Sequence, residues 1–157
     1  VLADVLLFLH LLSAFWLVAG IVGVALPLLR AYSVDSLAVQ HLAVEEAHHY
    51  QGVLLLPGAI LAGATGVFYW SERGYSLFTT GWLLALGLLY LVLLLVFLPL
   101  INMGLRRLRL ALLQAVKEGG PTPELAEALA ERVPLAFAGL AALWLVPLLA
   151  LSLFGPG

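Results

Sequence analysis

The polar residues of this chain are gathered into a few short stretches, and between them lie long apolar runs. The first run covers about Val5–Leu29, broken only by His10 and Ser13 before Pro27. Others cover about Gly52–Trp70, Thr80–Ile101 and Val133–Leu153. Each is close to the roughly 20 residues that a helix needs to cross a bilayer. None alternates with the period of two expected of a barrel strand, so each predicts a transmembrane helix. The fold class expected is all-α: one domain over 1–157, a polytopic membrane protein of four transmembrane helices in a bundle. Spans are set at 5–29, 52–70, 80–101 and 133–153. The opening "VLADVLLFLHLLSAFWLVAGIVGVALPLLR" lacks a basic leader and is too long for the core of a signal peptide. It reads as a retained span.

Two polar stretches carry helical signals. Residues 35–51 predict an amphipathic extension joined to span two, started by Asp35 or Ser36. The connection 104–132 predicts a helix that prolongs span three or lies on the membrane surface. A restart follows at "GGPTPELAEALAERVP", with Thr122 as cap and Pro123 in the first turn.

Composition agrees with the runs. Of the 157 residues, 64% are hydrophobic and 10% charged, against roughly 25% charged in soluble domains. The formal net charge of -2 gives no footing for nucleic acid. There is no cysteine, which excludes disulfides, thiolate metal sites and thioether-linked haem. Charge then sets orientation. Arg30, Arg106, Arg107, Arg109, Lys117 and Arg132 fall on one side of four spans, and Arg73 alone on the other. The positive-inside rule places the six in the cytoplasm and both termini outside, in a bacterial cytoplasmic (inner) membrane.

Small residues recur at helix-packing intervals. Gly58, Ala62 and Gly66 share one face of span two, and Gly81 with Ala85 and Ala138 with Ala142 repeat the spacing. Such faces suit contact within the bundle, a homo-oligomer or a membrane partner, besides the lipid itself.

The chemistry-bearing residues are histidines. In "HLAVEEAHHYQG", His41, Glu45 and His48 fall near one helix face, and His49 is four residues from Glu45. A mononuclear zinc or iron site on His41, Glu45 and either His48 or His49 fits that spacing. A polar interfacial face held wet by i,i+4 pairs fits it equally. His10 differs, because it sits inside an apolar run. It either hydrogen-bonds across the bundle, faces a polar crevice, or ligates haem b. Helical rise separates it from His48 and His49 by roughly 20 Å or more along the bundle. One haem held between them is therefore excluded.

"FLHLLSAFWLVAG", "LLLPGAILAGATGVFYW", "FTTGWL" and "LLVFLPLINM" together resemble a widespread, uncharacterised family of four-helix bacterial integral membrane proteins, over nearly the whole chain. That family looks distantly similar to the copper-resistance D domain and to the HemJ-type protoporphyrinogen oxidase. The resemblance implies a first-helix histidine associated with haem, which His10 matches by position. The oxidase also uses a lysine in a later helix, whereas the one lysine here, Lys117, follows span three.

Three functions stand at this point. The first is a non-enzymatic membrane subunit or structural partner. The second is a haem-binding redox or haem-handling protein built on His10. The third is metal-ion transport or sensing through His41, Glu45 and His48.

Overall fold

The computed structural model describes residues 1–155, and its described residues form helices without strands. Helix α1 runs Leu2–Ser33, α2 Leu37–Glu72, α3 Gly81–Glu118, α4 Pro123–Ala130 and α5 Val133–Phe154. Four helical stretches are long and apolar enough to cross a membrane, the last containing α5. With 36 and 38 residues, α2 and α3 extend about 54–57 Å and outrun the hydrocarbon core. The polar residues 37–51 and the basic residues after Asn102 therefore continue existing helices instead of lying flat. Gly119, at φ 79°, ends α3 in the left-handed conformation that suits glycine. Thr122 caps α4 by accepting a hydrogen bond from the Leu125 amide at 3.2 Å.

The buried positions show why the helices pack as they do. In α1 they include Ser13, Leu17, Gly20, Val24, Pro27 and Ala31, alternating steps of four and three. In α3 they include Leu98, Ile101, Leu105, Leu108, Leu112 and Ala115, with the same alternation. This is a heptad seam, the geometry of side-by-side helices crossing at a shallow angle. In α2 the alternation is interrupted at Ala47, Gln51 and Leu55, spaced by four and four. A π-helical turn, Gln51–Leu55, takes up the extra residue and returns the seam to register. Pro57 follows, and its ring denies a partner to the Val53 carbonyl. The Trp16 indole of α1 supplies one, donating to that carbonyl at 3.0 Å. A second π turn, Leu93–Phe97, precedes Pro99 in α3.

The closest contact is between α1 and α2. A methyl group added at Gly20 would lie 2.4 Å from the Leu55 Cα, and one at Gly58 would lie 2.6 Å from the Leu17 amide nitrogen. Gly66 brings α2 just as near to the His10 ring. The small-residue face of span two is thus consumed inside the chain. Outward faces carry Phe8, Phe15, Ile60, Phe68, Leu95 and Leu143, all more than half exposed and suited to lipid.

At the basic end the helices form a polar-coated layer. Ala43, Val44 and Ala47 of α2, Leu105, Leu108 and Leu112 of α3, and Leu125 and Ala128 of α4 are all buried there. Arg107 pairs with Glu127 and Glu131, tying α3 to α4 and the residues that follow it. Tyr32 donates to the Glu131 carbonyl at 3.1 Å and brings in α1.

Gly58→Ala tests the α1–α2 contact. Its methyl meets backbone that cannot rotate away, so we expect a loss of about 1–3 kcal/mol, the usual cost of overpacking. Gly81→Ala, with nothing within 4 Å of the added methyl, should lose nothing. Unfolding in mixed micelles measures both; equal behaviour of the two variants would contradict the contact.

Candidate functional site

His10 lies about two turns into α1, facing α2. Its Nδ1 is 3.1 Å from the Ala62 carbonyl oxygen and 3.3 Å from Thr65 Oγ1. A carbonyl only accepts, so Nδ1 carries the proton and a neutral ring leaves Nε2 as a bare lone pair. The ring stacks on Tyr69, with centroids 6.5 Å apart and planes 9° from parallel. Gly66 makes room for it: a methyl there would lie 2.9 Å from Cε1. Thr65 donates to the Leu61 carbonyl at 2.6 Å and stands 3.0 Å from Ser13 Oγ, which fixes the hydroxyl beside the ring. Among the described residues Nε2 has no hydrogen-bond partner and is not a buried orphan atom.

His10 lines a cavity of about 620 Å³ in the half of the bundle away from the basic end. All four spanning helices wall it, through residues such as Ala14, Gly66, Leu86, Tyr90 and Leu148. Its interior is apolar. Hydroxyls of Ser71, Tyr75, Ser76 and Ser152 stand along its lining, and no charged side chain lines it among the described residues. The cavity is large enough for a ligand of drug size or above.

The other histidines lie at the opposite end and do not assemble with it. Glu45 is held by Arg109 through two hydrogen bonds, Nε to Oε1 at 2.6 Å and Nη2 to Oε2 at 3.1 Å. In this polar part of α2, outside the apolar run 52–70, those bonds lower the Glu45 carboxyl below its ordinary range. Both its oxygens are engaged. His48 and His49 are exposed, and His49 packs edge-on to Tyr50 at 5.8 Å. His41 has its Nδ1 buried without a partner, in a groove with Leu37, Leu42, Glu45 and Val116. Among the described residues no three histidine, aspartate or glutamate side chains gather closely enough for a metal. The spacing puts these residues on one helix; an arginine 64 positions away in sequence claims the carboxylate.

Several polar contacts escape sequence reading because they join side chains to main-chain carbonyls or side chains far along the chain. Tyr90 donates to the Ala59 carbonyl, and Gly63 leaves space for its ring. Trp144 donates to the Leu89 carbonyl at 2.9 Å. Gln51, buried in the π turn, donates to Asn102 at 3.1 Å. The only advance signal for these is a hydrogen-bonding residue set inside an apolar run.

A family model described as "Predicted integral membrane protein (DUF2269)" matches residues 4–156. No curated protein and no solved structure matches the chain.

Proposed function

The chain belongs to the DUF2269 family of predicted integral membrane proteins, and from that premise we propose that it binds haem in the His10 cavity. The observation that carries this reading is the state of His10. Its Nδ1 donates to a backbone carbonyl, Nε2 has no hydrogen-bond partner among the described residues, and the residue lines an apolar cavity of about 620 Å³. A carbonyl bond to the far nitrogen fixes the tautomer and the ring plane and raises the basicity of the ligating nitrogen. The donor set therefore fits a single histidine, His10, that would hold haem. The likeness of the first-helix histidine to that of the HemJ-type oxidase supports the same choice.

Bound there, haem would supply one-electron redox chemistry. The chain's own part is positional. Ala62 and Thr65 orient the imidazole, Tyr69 covers one ring face, and the apolar walls exclude water. Ser71, Tyr75 and Ser76 would supply polar groups to the lining of the site. No second histidine reaches this depth, so His10 is the one histidine that would hold the group.

The reading as a structural subunit has less behind it. The face that argued for a partner, Gly58, Ala62 and Gly66, is buried against α1 in the same chain. As for placement, we assign the protein to a bacterial cytoplasmic membrane with the basic end inside, from six basic residues against one. In sealed cells a cysteine at Ser71 should react with an impermeant maleimide and one at Gly120 should not. The reverse pattern would turn the molecule over.

Purified from haem-replete cells, or titrated with haemin, the protein should show a Soret band. His10→Ala should lose or displace that band while remaining folded. A colourless wild type that gives no spectral shift with haemin would overturn the haem reading.

A further inference from the structure

We propose that the ligand of the His10 cavity enters and leaves sideways, from the membrane, through a portal between Leu56–Glu72 of α2 and Gly81–Val92 of α3. This rests on the cavity being a ligand site, as above, but not on the ligand being haem.

The two segments that flank the portal pack elsewhere. Leu56–Glu72 lies along α1, and Gly81–Val92 lies along α5; among the described residues their backbones hardly approach each other, and Trp70 packs edge-on to Trp82 where they meet near the loop. Both nevertheless line the same cavity, through Ala62, Gly63, Gly66 and Val67 on one side and Leu83, Leu86, Gly87 and Tyr90 on the other. Among the apolar lining residues Val67, on the Leu56–Glu72 side, is 54% exposed, as are Leu149 of α5 at 51% and Phe78 in the loop before α3 at 82%. An exposed valine at the edge of Leu56–Glu72 costs nothing against lipid tails and would be unfavourable against water.

The end toward water is partly closed, with Ser71, Gly74 and Ser76 exposed along the lining there. Residues 74–78 fold over the end of the cavity, and the Leu77 side chain rests against Gly87. Behind them Trp70, Tyr75 and Trp82 form a cluster, with centroids 4.8 to 5.7 Å apart. Opening that end means separating three rings packed edge to face. Across the side, one described hydrogen bond bridges the segments, from Tyr90 to the Ala59 carbonyl. An interhelical hydrogen bond in a membrane contributes only about 0.6–2 kcal/mol, so this latch opens readily. The ligand class follows from the route: a mostly apolar molecule that partitions into the bilayer and carries a group that coordinates or donates to the Nε2 lone pair.

The absence of native cysteine makes the test clean. Leu148 lines the cavity from α5 and is 7% exposed, so a thiol in Leu148→Cys is reached through the cavity. In proteoliposomes its labelling by N-pyrenylmaleimide, which dissolves in the bilayer, is compared with labelling by a sulfonated, water-confined maleimide. We expect the bilayer reagent to react much faster. Tyr90→Phe, which removes the latch, should speed it by about threefold, the equivalent of one modest interhelical hydrogen bond. Val67→Trp, which fills the rim, should slow it. A second reporter, Leu86→Cys, replaces Leu148→Cys should the latter fail to fold. The portal is overturned by faster labelling from water, or by a bilayer reagent indifferent to both substitutions. Because labelling needs no haem, a protein without a Soret band but with the expected rates discards the haem assignment and keeps the portal. A Soret band with indifferent rates does the opposite.

Discussion

The approach of α1 to α2 is the contact on which the other features depend. Lipid tails are as apolar as leucine, so apolar surface alone gives helices in a bilayer little reason to associate. What remains is close fit and polar contact, and both need backbones within reach. Gly20 and Gly58 bring the two helices to a distance at which a single methyl would collide with main chain. That distance lets the Trp16 indole reach the carbonyl freed by Pro57, and the His10 imidazole reach the carbonyl of Ala62. A longer separation would lose both bonds and leave Val53 with a carbonyl unsatisfied in hydrocarbon, which is costly.

The same economy produces the cavity. Each helix carries a limited apolar seam, and in the half away from the basic end α2 spends its seam on α1 while α3 turns toward α5. Space opens where neither is matched to the other. At the basic end the geometry is the reverse: α2 and α3 pack along heptad seams, and Glu45 with Arg109 closes them with charge. The two π turns, each followed by proline, lie where close packing on the basic side gives way to the cavity side. One end of the molecule is built to hold its shape, and the other to hold a guest.

The helical class and four membrane spans are plain in the sequence because hydrocarbon imposes a length and a composition that few other environments require. The importance of Gly58, Ala62 and Gly66 is visible in their spacing, but the identity of the helix they meet is not, since spacing describes one surface only. The His41–His49 stretch shows the same limit. Periodicity sets Glu45 and the histidines on one helix, yet Arg109, far along the chain, occupies the carboxylate. His10 stands out as a lone imidazole in an apolar run. The cavity beside it could not be read, because it arises from the divergence of α2 and α3 and from a one-residue insertion at Gln51–Leu55 that no composition announces. Tyr90 and Trp144 likewise look like ordinary aromatic residues until the carbonyls they serve are in place.

The α1–α2 contact fixes His10, a residue that lines the cavity, with its proton on Nδ1 and its lone pair on Nε2. Nitrogen-15 spectroscopy of histidine-labelled protein in lipid bilayers observes this directly. The account predicts that His10, identified by its loss in His10→Ala, shows a protonated Nδ1 and an unprotonated Nε2 in the ligand-free protein at neutral pH. A resonance from the opposite tautomer, or one averaged between the two, would contradict it.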